Sequence, residues 1–359
     1  MGATSVQTDE VEVLVVGAGQ AGLSVARELE SLNVACVVHE RGKRVGDLWR
    51  ERFDSLVLFT PRELSALPGL SHGGDPQGFP SKDEMGDYLE RYAERFALPV
   101  FTNNGVARLS RTPEGFVAVT ASGKATIARA VVIATGGFQR PRRPPFACAL
   151  SAGVQQLDPL SYRNPTALAE GQVIVVGDGV TGRQIALEIA QSRQVTLAMG
   201  RRRHFGPQTV FGKDTTGLAL RTGLLTASKR TPAGRFVRWL DLTPGLHLRR
   251  RALRRAGIDL VPRCLDAEED QLIFSDGSHR HADVLIWALG YRDDTRWVEI
   301  EGATMANAFV HEDGVTKVPG LYHVGREWQV SRASGLICGV ARDAAIIAAQ
   351  VKQFVMQRR

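Results

Sequence analysis

The feature that most constrains this chain is a unit that it contains twice. Residues 11–16 (VEVLVV) form a short apolar run, followed at once by Gly17, Gly19 and Gly22 and by an amphipathic stretch to about Leu32. That order reads as strand, tight turn, helix. A second apolar run, residues 34–39 (VACVVH), ends at Glu40 and completes a βαβ unit. About 160 residues later the same grammar returns: QVIVV at 172–176, then Gly177, Gly179 and Gly182, a helical stretch to about Gln191, VTLA at 195–198 and Gly200. Parallel βαβ units carry helices over their sheets, so two copies predict an α/β chain with two Rossmann-like dinucleotide-binding domains. One dinucleotide site would not need both.

The two glycine turns differ in what surrounds them. In the first, Gly17 permits the turn, and Gly19 lets backbone N–H groups approach a pyrophosphate at the positive end of a helix opening with Gln20 and Ala21. Gly22 lets helix and strand pack closely. Glu40, followed by Arg41, can accept from both ribose hydroxyls, which a 2′-phosphate would forbid; this turn suits FAD or NAD. The second turn, Gly177-Asp178-Gly179-Val180-Thr181-Gly182, meets a strand end reading Gly200-Arg201-Arg202-Arg203. Guanidinium groups bond phosphate bidentately, and Arg201 and Arg202 therefore favour NADPH over NADH. FAD at one site and NADPH at the other describe a hydride path from nicotinamide to flavin.

Between and after the units the pattern predicts a helix over 82–97, N-capped by Ser81 and stopped by Leu98-Pro99. A small antiparallel layer within 115–134 returns to a parallel strand, and Pro141–Pro145 forms an exit. Residues 201–256 read as helical and arginine-rich, 283–290 (DVLIWALG) as a buried strand, and 321–350 as strand, glycine-bearing loop and long helix. The expected organisation is an FAD domain in two parts, 1–160 and 293–359, with an NADPH domain, 166–292, inserted between them.

Composition narrows the function. The four cysteines of the 359 residues, Cys36, Cys148, Cys264 and Cys338, form no CxxC pair, so neither a zinc site nor a dithiol couple is encoded. The eight histidines lack metal or nucleophile spacing, and His39 in its apolar strand reads as a core residue. The net charge of +7 comes without an aromatic-and-basic stripe, which argues against nucleic acid. A polar, acidic start, Met1–Glu10, is neither a signal peptide nor a spanning helix. The expectation is a cytoplasmic enzyme with no membrane partner, compatible with a homodimer.

Further segments resemble the class B flavin-containing monooxygenases, in particular their short bacterial members, over nearly the whole chain. Gly46-Asp-Leu-Trp49-Arg50 is similar to the family's GGxWR segment and Asp54–Pro61 to its YDSLRLxTP run. Phe79-Pro80 with Tyr88, Tyr92 and Phe96 resembles its FPS…YLxxYAxxF helix, and Ala134-Thr135-Gly136 its ATG strand end. Trp328-Gln329, Arg332, Ser334, Gly339-Val340 and Asp343-Ala344 resemble the C-terminal WQxxRxSxxxxGVxxDA segment. The resemblance implies that NADPH reduces FAD and that O2 adds at flavin C4a to give a (hydro)peroxyflavin. One oxygen atom then passes to a small organic substrate, with N- or S-oxygenation favoured and hydroxylation or Baeyer-Villiger insertion as further options. It places Trp49, Arg50, Thr60, Trp328, Gln329 and Ser334 near the flavin ring, Gln329 and Ser334 bonding its edge or a bound peroxide.

The chain also departs from the family. The linker signature FxGxxxHxxxY falls on Ala152, Val154, Asp158 and Tyr162, retaining only the tyrosine, and the second ATGY reads Ala288-Leu289-Gly290-Tyr291. Two other functions therefore stay open: a flavoprotein reductase serving a quinone or protein carrier, and an FAD-bound redox sensor without turnover. Apolar residues between Phe205 and Trp239 suggest either a substrate lid or a helix packed on the NADPH domain.

Overall fold

In a computed structural model, which describes residues 8–201 and 203–357, the first repeated unit becomes β1 (Thr8–Val16), α1 (Gln20–Ser31) and β2 (Cys36–His39). Val13 to Val16 are each no more than 5% exposed, as expected for a central strand covered on both faces. The chain continues through α2 (Asp47–Arg50), α3 (Lys82–Arg95), β3 (Val100–Phe101), β4 (Val106–Thr112), β5 (Gly115–Thr120) and β6 (Ala125–Ile133). The expected helix thus ends at Arg95. It starts with a full capping box, Ser81 Oγ accepting from the Glu84 N–H while Glu84 accepts from the Ser81 N–H, so its orphan donors are satisfied by its own sequence.

The second layer contains β7 (Gln155–Leu157), β8 (Val173–Val176), α4 (Val180–Ile189), β9 (Val195–Ala198), α5 (Thr215–Arg221), α6 (Pro232–Leu240), α7 (Arg250–Arg255), β10 (Asp259–Val261) and β11 (Val284–Trp287). Its sheet is parallel throughout, in the order β10-β9-β8-β11-β7. The chain then returns to the first layer with β12 (Val298–Glu299), β13 (Leu321–His323) and α8 (Ile337–Met356). The first sheet has eight strands in the order β12-β4-β5-β6-β1-β2-β3, with β13 also pairing with β6. Helix α8 buries Ile337, Val340, Ala344, Ile347 and Val351 in the same apolar cluster as Leu23, Val25 and Leu29 of α1. Both ends of the chain therefore build one core.

Two expectations need correction. The boundary at residue 160 falls inside the second layer, because β7 pairs with β11 and Ala147, Leu150 and Val154 already lie in that layer's core. Segment 155–157 reads QQL, a strand defined by its neighbour rather than by an apolar run. Residues 201–256 are helical only in short pieces, α5, α6 and α7, interrupted by small pairs such as His204–Gly206 with the backbone of 242–244. The passage between layers is made twice, at Arg140–Pro141 and Tyr291–Arg292, and these crossings pair antiparallel with each other. No helix among the described residues is long and apolar enough to cross a membrane.

Candidate active site

The two glycine turns stand at the carboxyl ends of the central strands of their sheets, where α/β folds bind nucleotides. In the first, Gly17 has φ +103° and its N–H bonds the His39 carbonyl at 2.8 Å. A Cβ on Gly22 would lie 1.8 Å from the Gly17 carbonyl oxygen, so only glycine lets α1 start there. Gly19 is the N-cap of α1 and offers no side-chain cap, and nothing lies within 4 Å of where its Cβ would be. The first N–H groups of α1 thus face open space, as an anion site requires. Glu40 Oε2 accepts from the Ala18 N–H and Oε1 from the Gly42 N–H, both at 2.7 Å. The carboxylate is half-buried and each oxygen keeps acceptor capacity for a ribose. Gln20 is half-buried, Ala21 is packed against Gly325, and Arg41 is exposed.

The second turn repeats this backbone. Gly177 has φ +111°, its N–H bonds the Ala198 carbonyl at 3.2 Å, and a Cβ on Gly182 would lie 1.9 Å from the Gly177 oxygen. Gly179 caps α4 without a side chain, leaving Thr181 half-buried in an open first turn. The electrostatics differ. Strand register aligns Ala198 with Val176 as His39 aligns with Val16, which puts Met199, buried and apolar, in the place of Glu40. The carboxylate here is in the turn itself: Asp178 accepts from the Gly200 N–H at 3.0 Å and pairs with Arg183 at 2.9 Å, both side chains being 3% exposed or less. Arg183 also stacks on Phe205 at 4.6 Å, so Phe205 is structural.

Of the arginine run, Arg203 approaches the turn. Its Nη2 would be 4.0 Å from a Cβ on Gly179, and it lies 3.9 Å from carboxylate oxygens of both Asp178 and Asp241. Arg201 points to solvent, 70% exposed, and pairs with Asp241 at 2.6 Å. Arg202 lies outside the described residues. The sequence reading took Arg201 and Arg202 from the run for the phosphate and not Arg203, since three successive arginines do not reveal which of them approach the turn.

Each layer also brings a strand end against its turn. Ala134-Thr135-Gly136 faces Gly17, and Ala288-Leu289-Gly290 faces Gly177, where a Cβ would lie 2.9 and 2.4 Å from the respective alanine carbonyls. Gln139 bonds Thr135 Oγ1 at 2.8 Å and the Gly136 carbonyl at 2.7 Å. Arg326 donates to the same carbonyl at 2.7 Å and is ion-paired with Asp293, beside the crossing. These ties were invisible in the sequence because they join segments far apart along it.

Several side chains expected at the flavin ring are engaged with protein instead. Arg50 uses its N–H donors on Asp87, Glu90, Asp47 and the Val45 carbonyl, fastening α2 to α3. Thr60 is 6% exposed and bonded to Ser65 Oγ at 2.8 Å. Ser334, 0% exposed, accepts from the Val330 and Ser331 N–H groups, both at 3.0 Å. Gln329 is 1% exposed and packed against Gly314, accepting from the Arg326 N–H at 3.4 Å. With these bonds Gln329 and Ser334 fasten the C-terminal loop. Trp49 and Trp328 are half-buried and keep exposed surface; Trp328 has φ +55° and lies 5.8 Å from the Arg238 guanidinium. In the altered linker, Asp158 accepts from the Leu160 and Ser161 N–H groups and pairs with Arg143, while Tyr162 donates to Glu188 at 2.8 Å.

The cysteines remain separate, and burial pushes the Cys36 thiol up to about 12 and those of Cys264 and Cys338 to about 11. None of these three is a ready thiolate nucleophile.

Comparison with known proteins agrees with this geometry. The pyridine nucleotide-disulphide oxidoreductase family matches residues 14–209. The uncharacterized CzcO-like oxidoreductase of Geobacillus kaustophilus is 41% identical over 336 residues, covering 93% of this chain and 96% of its own. An indole-3-pyruvate monooxygenase of rice, YUCCA1, is 28% identical, covering 87% of this chain and 86% of its own. Among solved structures, a flavin-containing monooxygenase from Stenotrophomonas maltophilia superposes with a TM-score of 0.80 at 25% identity, covering 96% of this chain and 99% of that one. Two uncapped glycine turns, a ribose-facing carboxylate at one and arginines at the other fit an FAD and an NADPH. The chain belongs to the pyridine nucleotide-disulphide oxidoreductase family and to the class B flavoprotein monooxygenase superfamily, oxidoreductases that use FAD and NADPH.

Proposed function

We propose that this enzyme holds FAD at the Gly17–Gly22 turn and NADPH at the Gly177–Gly182 turn and transfers one oxygen atom from O2 to a small organic substrate. A soft nitrogen or sulfur centre is the favoured acceptor. The observation that carries the reading is the contrast between duplicated turns: Glu40 at the first, and Met199 with the Arg201 and Arg203 guanidinium groups at the second. A carboxylate accepts from a free ribose and repels a 2′-phosphate; arginines do the reverse. Bound FAD, reduced by the nicotinamide, supplies the oxygen activation.

The protein's part is binding and positioning. The open N-termini of α1 and α4 bind pyrophosphates, and both strand ends, Gly136 and Gly290, run directly into the paired crossings at 140–141 and 291–292. Arg326, bonded to Gly136 and Asp293, holds that junction, where Phe138 and Tyr291 pack edge to face.

The test is turnover of the FAD-loaded protein with NADPH and isotopically labelled O2 over a panel of amines, sulfides and ketones. Label in a product, with NADPH consumption that depends on substrate, is the expected result. Flavin reduction that yields only hydrogen peroxide with every acceptor would overturn the oxygenation reading.

A further inference from the structure

Asp241 occupies a position that the nucleotide reading does not explain. It is the C-cap of α6 at φ +43°, and its carboxylate binds Arg201 at 2.6 Å and stands 3.9 Å from Arg203. No other acidic side chain pairs with Arg201 among the described residues, and Arg203 otherwise meets only Asp178 at 3.9 Å. Asp178 is already committed to Arg183 and the Gly200 N–H. The two described arginines of the run therefore share Asp241 as counter-ion.

The element that carries Asp241 is tied at its other end to the flavin-side loop. Leading into α6, the Lys229 N–H bonds the Val330 carbonyl at 2.8 Å, Lys229 Nζ pairs with Asp313 at 3.2 Å, and Arg230 pairs with Glu312 and Asp313. On α6 itself Arg238 faces Trp328. In the last turn Phe236 and Trp239 are 52% and 77% exposed and pack on each other, and the residues that follow, 242–244, pair with His204–Gly206. The Asp241 ion pairs are the salt bridges of this end among the described residues.

Resting on the reading that NADPH binds here, we propose that Asp241 is a displaceable counter-ion for the 2′-phosphate. A nicotinamide dinucleotide bearing that phosphate takes Arg201 and Arg203 from Asp241 and frees the end of α6, whereas one lacking it leaves the pairs intact. A dianionic phosphate and a carboxylate cannot both hold the same guanidinium groups without repelling each other. Asp241 then lowers affinity for every 2′-phosphorylated ligand and makes α6 report which nucleotide is bound. Helix α6 is thus a strap between the arginines and the loop bearing Trp328.

The test uses the FAD-loaded full chain and two probes, adenosine 2′,5′-bisphosphate and 5′-AMP, titrated by calorimetry. Asp241→Asn keeps a residue that tolerates the left-handed conformation and removes the charge. It is expected to tighten the bisphosphate about fivefold, the scale of one exposed ion pair, and to leave AMP unchanged. In the wild type, the bisphosphate but not AMP is expected to shift the emission of Trp239, and Trp239→Phe to remove that shift. Unchanged bisphosphate affinity in Asp241→Asn, with discrimination between the probes still lost in Arg203→Gln, would overturn the proposal and leave the NADPH reading standing. A wild type that binds both probes equally would overturn both.

Discussion

The two glycine turns have the same backbone and opposite electrostatics. Gly17 and Gly177 both take positive φ, and Gly22 and Gly182 press equally close to the preceding turn. At the first, the carboxylate is on the neighbouring strand end and reaches back, Glu40 accepting from Ala18; at the second it is in the turn and reaches forward, Asp178 accepting from Gly200. Either way a carboxylate closes the gap between turn and strand. Only Glu40 keeps surface for a ligand, because Asp178 is sealed beneath Arg183. Backbone geometry is shared by the two turns, and on the proposed reading the location of one carboxylate chooses the nucleotide.

The comparison can be broken most sharply at the close-packed glycines. Gly22→Ala puts a methyl 1.8 Å from a carbonyl oxygen and Gly182→Ala one at 1.9 Å. The first is expected to yield protein without flavin, and the second protein that keeps flavin but is no longer reduced by NADPH; visible absorbance and anaerobic reduction separate them. Loss of flavin from both variants alike would mean that the layers do not bind independently.

Next in size is the buried pair that distinguishes the second turn. Arg183→Met strands the Asp178 carboxylate and should cost about 3–5 kcal/mol in denaturant unfolding. Asp178→Asn in the same background should restore much of it. A loss below about 1 kcal/mol would show that water reaches Asp178 and that the pair is no more than a surface ion pair.

Nucleotide choice is the third contrast. Arg203→Gln should raise the NADPH KM about tenfold, or about 1.4 kcal/mol, with NADH altered far less. Equal changes for both nucleotides would remove Arg203 from 2′-phosphate recognition.

The smallest effect compares helices that face nucleotides with one that does not. Helices α1 and α4 start at glycines without side-chain caps, whereas α3 has the Ser81–Glu84 box. Ser81→Ala should cost about 1 kcal/mol and leave flavin content unchanged. The Ser81 N–H, then Arg62, holds the Glu84 carboxyl down to about 2. Its contribution is therefore present above the ordinary value of 4.5 and lost as pH falls from there to about 2. Glu84→Gln should flatten acid unfolding across that window; an unchanged acid limb would count against the box.

What could be read in advance was local. The alternation of β5, the Ser81 N-cap of α3 and the two strand-turn-helix units each declare themselves within a few residues. Glu40 was recognisable because it follows its glycines by a fixed interval in a common unit. β7 was not: Gln155-Gln156-Leu157 is a strand because the edge of β11 is free beside it. Nor were the bonds by which the Ser334 hydroxyl closes its own loop, accepting from the Val330 and Ser331 N–H groups.

By itself the sequence determined that this chain has two nucleotide folds, since apolar period and glycine φ act over one turn of chain, and strand-end charge is the ground for proposing which of them takes a 2′-phosphate. Tertiary structure decided which arginine lies over the turn, which carboxylate opposes it and which polar groups have surface left for a ligand. Those depend on distances between residues such as Arg201 and Asp241, or Arg326 and Gly136, that are far apart along the chain and that only packing brings together.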